Sequence, residues 1–167
     1  MESETTLLVA TISATSAIAG ALISQIVLII RDSLDKKHQR NSLLREKYEE
    51  LSGHITESHA WVIENMSAQS LSQLQAQSLP AHARKAATLS HIYFPQLRNA
   101  CQDYLNSCIS FGITLINNYQ FAEGVDIGIQ ASTHNREEFE KALRKVQLCR
   151  QAVDDAIIEH AHKYTKA

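Results

Sequence analysis

The chain is poor in the residues that interrupt helices. Only five glycines and two prolines occur in 167 residues, and aromatic residues make up 6%. So few turn formers leave little room for the tight connections of a many-stranded sheet, and apolar residues recur instead at helical spacing. An all-α fold is expected. Cysteine is also scarce: Cys101, Cys108 and Cys149 are odd in number and lack paired metal-type spacing, which suits a reducing compartment.

Several chemistries are missing with them. There is no Gly-rich phosphate loop and no nucleophile elbow. Eight histidines are scattered, with no pair one helical turn apart facing an identifiable cavity. Glu159-x-x-His162 matches the carboxylate–histidine spacing of di-iron bundles, but such a site needs a second copy and two more helical glutamates, and no second Glu-x-x-His occurs. No catalytic residue, metal or cofactor is therefore expected, and an enzyme is disfavoured. A formal net charge of −2 argues against binding to long nucleic acid.

Charge is missing altogether from one stretch. Leu7 to Ile30, LLVATISATSAIAGALISQIVLII, is twenty-four residues without a formal charge, twelve of them Leu, Ile or Val. At ~1.5 Å per residue such a helix measures roughly 36 Å, enough to cross a hydrocarbon core of about 30 Å with some tilt. A cleaved signal peptide fits poorly, because Glu2 and Glu4 precede the run and the run is too long. Ala10, Ser13, Ala17, Gly20 and Ser24 follow one another at spacings of three and four, forming a face of small residues. Such faces let membrane helices pack closely, so self-association through this face is expected. Arg31, Lys36, Lys37, Arg40, Arg45 and Lys47 follow the span directly, and the positive-inside rule puts the amino terminus outside and the remainder in the cytoplasm.

Three segments result: residues 1–30 as the span with a short outside terminus, 31–43 as a basic juxtamembrane collar, and 44–167 as a cytoplasmic helical domain. In the last, Leu44, Tyr48, Leu51, Ile55, Val62 and Met66 form one seam, with Trp61 beside it. Residues 67–78 are Ser/Gln-rich and read as a helix end or connector. Helices are expected from Pro80 to about Tyr93 and from about Pro95 to Tyr119, the second with an apolar face of Leu97, Cys101, Tyr104, Cys108, Phe111 and Leu115. Residues 121–133 are the least helical, and 125–129 read either as a short strand or as loop. A final helix, capped by Thr133 or by Asn135 with Glu138, buries Phe139, Val146, Cys149, Val153, Ile157, His160 and Tyr164.

Binding is what remains. His134, Asn135 and Arg136 fall at a helix amino terminus, where free N–H groups and the helix dipole favour an anion. His82, Arg84 and Lys85 form a second basic helix start, and Arg98 could supply hydrogen bonds beside Asn99, Tyr104 and Tyr119. In a ring of subunits one arginine per chain becomes a ring of cations, so Arg84, Lys85, Arg98, His134, Asn135 and Arg136 are the candidate anion-binding set.

One membrane helix, a small-residue seam and a compact helical cytoplasmic domain of this size resemble the small membrane effectors of type III CRISPR antiviral defence. That resemblance covers the architecture and rests on no short motif. It implies a homo-oligomer, with a tetramer favoured, in the bacterial inner membrane. Its cytoplasmic domain would bind a cyclic oligoadenylate, best guess cyclic tetra-adenylate, and perturb the membrane through the transmembrane bundle. The alternative is a single-pass scaffold or regulatory subunit that binds a protein partner through its helical faces.

Overall fold

The computed structural model describes the backbone of residues 2–77, 79–122, 125–129 and 133–165, and the side chains of residues 16, 20–77, 79–119 and 136–164. Within these residues the regular structure is helical apart from one hairpin, with short connections between the helices. The elements are α1 (Glu2–Met66), α2 (Leu71–Ala76), α3 (Ala81–Tyr93), α4 (Arg98–Asn118), β1 (Tyr119–Ala122), β2 (Val125–Ile129) and α5 (Thr133–Thr165). Contacts divide the chain into two compact units, Met1–Leu43 and Leu44–Lys166.

The first unit is built from α1. Leu22, Ile23, Ile26, Val27, Leu28, Ile29 and Ile30 are each between 53% and 69% exposed. At 100° per residue these positions reach most of the helix circumference, so no single face is apolar. Ser24 turns its hydroxyl back on the helix, donating to the Gly20 carbonyl at 2.9 Å, and a Cβ at Gly20 would meet nothing within 4 Å. Beyond Ile30, Lys36 pairs with Asp32 at 2.8 Å and Arg31 lies 4.0 Å from Asp35, both exposed pairs one helical turn apart. Among the described residues no helix is long and apolar enough to cross a membrane. The expected span falls partly outside them, because the side chains of residues 7–15 and 17–19, with Ala10, Ser13 and Ala17, are not described.

The second unit is organised on α4. Cys101, Tyr104, Cys108, Phe111 and Leu115 recur every three or four residues and are all fully buried, as their spacing predicts. This helix packs against α5, α3 and α2. The part of α1 in this unit adds Tyr48, Leu51, Ile55, Trp61 and Val62 to the same core. Met66 does not join them: it is 41% exposed, because the helix ends there and leaves it at the rim. From α5 the deepest residues are Val146, Val153 and Tyr164, whereas Phe139, Cys149, Ile157 and His160 are half-buried.

Local chemistry sets the breaks. The 67–78 segment contains a short helix, α2, whose N-cap Ser70 accepts the Gln73 N–H at 3.1 Å. Pro80 sits at the N-cap of α3. That helix stops at Tyr93 because Pro95 disfavours helical backbone at Phe94, which lies outside the helical region at φ −130° and ψ 71°. Phe94 is fully buried and meets Tyr48 and Tyr164 edge-on at 5.2 and 4.9 Å. Tyr48 donates its hydroxyl to the Ile157 carbonyl and Tyr164 donates to Gln96 Oε1 at 2.8 Å, so each buried ring keeps its polar tip satisfied. β1 and β2 pair antiparallel, Tyr119 opposite Ile129, with a bulge between Gln120 and Phe121. α5 starts at Thr133, so Asn135 lies inside the helix and not ahead of it as a cap.

Candidate functional site

The predicted cations are not gathered in one place. Arg84 and Lys85 lie one turn into α3, exposed, and line a groove of about 450 Å³ with Glu50, His54, Thr88 and Leu89. Arg84 also borders a shallower hollow of about 320 Å³ with His91, Ile92 and Gln102. Arg98 is committed locally: its Nη2 donates to the His91 carbonyl at 3.2 Å across the α3–α4 connection. Arg136 pairs with Glu140 at 2.9 Å, one turn along α5. Arg144 and Lys145 flank a third depression, of about 480 Å³, together with Glu137 and Glu140. The side chains of His134 and Asn135 lie outside the described residues. No described groove combines the α3 cations with those of α5.

The two cationic hollows have the same formal balance, two cations to one acid in the α3 groove and three, with Lys141, to two in the α5 depression. Lys85 acts on Glu50, but the closest partner of Glu50 is Lys47, at 2.7 Å, which holds its carboxyl below the usual range. The single acid of that groove is thus already paired with Lys47. The α5 depression carries two glutamates, one of them on Arg136.

A second feature lies between α1 and α5. Val62, Ile63, Met66, Leu143 and Val146 line a groove of about 420 Å³, with His59, Arg150 and Asp154 as its polar rim. Arg150 Nε stands 3.6 Å from Asp154 Oδ2. Burial and the Arg150 charge lower the pKa of His59, partly offset by Asp154, so this imidazole is biased toward its neutral form.

Cys101 and Cys108 offer no nucleophile. Burial pushes Cys101 and Cys108 up to about 11, so both thiols stay protonated at neutral pH. Glu159 and His162 are both exposed, and His162 Nδ1 faces the Glu159 carbonyl at 3.0 Å, not its carboxylate.

Sequence reasoning missed one cluster. His54 and Glu57 on α1 meet His82 at the start of α3, with His54 Nδ1 3.3 Å from Glu57 Oε2, His82 Nδ1 2.6 Å from the same oxygen, and the two Nδ1 atoms 3.3 Å apart. His54 and Glu57 are three residues apart, hence on one helix face. That spacing was the available signal; the third member is 28 residues away on another helix and has no local signature.

No family model matches this chain, and neither the curated proteins nor the solved structures give a match. Function therefore rests on the residues themselves.

Proposed function

We propose that this protein is a single-pass membrane effector whose helical domain receives an anionic ligand and transmits its binding to a self-associating membrane helix. The observation that carries the reading is the exposed stretch Leu22–Ile30. Seven large aliphatic side chains, spread around one helix and each more than half exposed among the described residues, have water-avoiding surface on every side. A charged collar follows them. Lipid on the outside and like helices on the small-residue face satisfy that surface together.

The ligand is assigned by charge and by the family resemblance. Arg84 and Lys85 beside a groove suit a phosphate-rich ligand, and a symmetric assembly repeats them around its axis. A cyclic oligoadenylate, the tetra-adenylate ring, is the proposed trigger. Binding must favour one arrangement of the helices over the other. The 44–66 part of α1 and the collar are the proposed route to the span, whose helices then part or rotate and leak ions.

The full chain in detergent, with its oligomer mass determined, is titrated with cyclic tri-, tetra- and hexa-adenylate against linear controls. Ring-size-selective binding that Arg84→Ala removes while the assembly stays intact is the expected result. No binding at any ring size by a folded oligomer sinks the ligand assignment.

A scaffold is the second reading, and the α1–α5 groove favours it. Ile63 and Met66 are exposed at its edge, and an amphipathic partner helix would cover them. Ile63→Lys would then abolish partner capture and leave anion binding unchanged.

A further inference from the structure

Three lone-pair-bearing atoms converge where α1 meets α3. His54 Nδ1, His82 Nδ1 and Glu57 Oε2 are mutually 2.6 to 3.3 Å apart, each from a different residue. Glu57 Oε2 can accept from both Nδ1–H groups, but that sets the two ring nitrogens side by side, 3.3 Å apart, with no bond between them. A single cation at the centre satisfies all three at once.

The distances fit such an ion. Ligands 2.0–2.1 Å from a tetrahedral zinc ion are about 3.3 Å apart. Both contacts of His54 have that separation, and the 2.6 Å contact opens by a small rotation of Glu57, whose side chain is 59% exposed and free to turn. His54 is the anchored member, with only 16% of its side chain exposed. Its other ring nitrogen, Nε2, faces Glu50 Oε1 at 3.8 Å. At that distance Glu50 makes no hydrogen bond to the ring and does not fix its tautomer. Two imidazoles and one carboxylate suit a borderline divalent ion and leave a fourth position for water.

We propose that His54, Glu57 and His82 form a binding site for a divalent transition-metal ion of the zinc class, joining α1 to α3. This assignment does not rest on the anion reading, although His54 also lines the α3 groove. The site is tested on the tag-free full chain in detergent, stripped with chelator and titrated with cobalt(II), then with zinc(II) in competition. One ion per chain with the strong visible bands of tetrahedral cobalt, displaced by zinc, is the expected result. His82→Ala and Glu57→Ala lose that stoichiometric binding, while His91→Ala and Cys149→Ser keep it. The environment of Trp61 reports that each variant is folded. Where a variant fails to fold, X-ray absorption of the zinc-loaded native chain decides: nitrogen and oxygen ligands alone agree with the assignment. Sulfur ligation, absence of stoichiometric binding, or undiminished binding by folded His82→Ala overturns it.

Discussion

Removing the Ser58 hydroxyl tests how the two central helices of the second unit are joined. Ser58 and Tyr104 are both fully buried, on α1 and α4, with their oxygens 2.7 Å apart. Ser58 Oγ also donates to the Ile55 carbonyl at 2.7 Å, so its single proton is used and the Tyr104 hydroxyl must be the donor between them. Ser58→Ala strands that phenol, and an unsatisfied buried donor costs about 1–3 kcal/mol. The Cys108 sulfur, within reach of the same hydroxyl, is a weak acceptor and holds the expected loss to about 2 kcal/mol. Tyr104→Phe removes one bond and leaves Ser58 its carbonyl partner, a loss of about 1 kcal/mol. The double variant strands nothing, so it should cost about 2 kcal/mol and not the sum of about 3, a coupling of about 1 kcal/mol. Urea unfolding of the full chain in detergent, followed through the single tryptophan, reads this directly. Trp61 is buried and donates its indole N–H to the Gln77 carbonyl at 2.6 Å, so its emission reports the same unit. Strictly additive losses would show that the hydroxyls are not bonded to each other and refute the argument.

Phe111→Ala empties a fully buried site on α4 against Phe139, and should lower unfolding free energy by about 3–5 kcal/mol in the same urea assay. Because the folded pKa of His59 lies below its unfolded value, the unfolded chain binds more protons below the ordinary histidine range; stability is complete above that range and falls on acidification toward pH 5. Thermal melts of His59→Gln should show a shallower acid loss than the parent, and parallel pH profiles would contradict the assignment. Ile23→Asp puts a carboxylate into the apolar stretch and should weaken insertion by roughly 3 kcal/mol, seen as release of the chain from membranes on alkaline washing. In native protein, alkylation should mark Cys149 well before Cys101 and Cys108, whose thiols are buried and protonated; equal rates read by mass spectrometry would contradict that.

Periodicity made the body of the fold legible. The α4 seam from Leu97 to Leu115 and the α1 seam from Tyr48 to Val62 are read from 3.6-residue spacing and are buried as spaced. Helix ends were less so. Met66 carries the right spacing but falls on the last residue of α1, and Asn135 has the right capping chemistry but sits inside α5. Ends depend on where the chain must turn, which the apolar pattern does not encode. The site was the least legible part. Arg98 and Arg136 are cations by sequence, yet one is bonded to a carbonyl and the other to a neighbouring glutamate. His54 and His82 lack any shared motif, and only the packing of α3 on α1 brings their rings to 5.2 Å.

The central claim joins an anion to a membrane event, and one reconstitution tests both halves together. The full chain is incorporated into dye-loaded vesicles at known protein-to-lipid ratio, and cyclic tri-, tetra- or hexa-adenylate or a linear control is added outside. Dye release that depends on the protein, on one ring size and on Arg84 is the result this account predicts. Vesicles that carry the inserted chain and stay sealed with every ligand would contradict it.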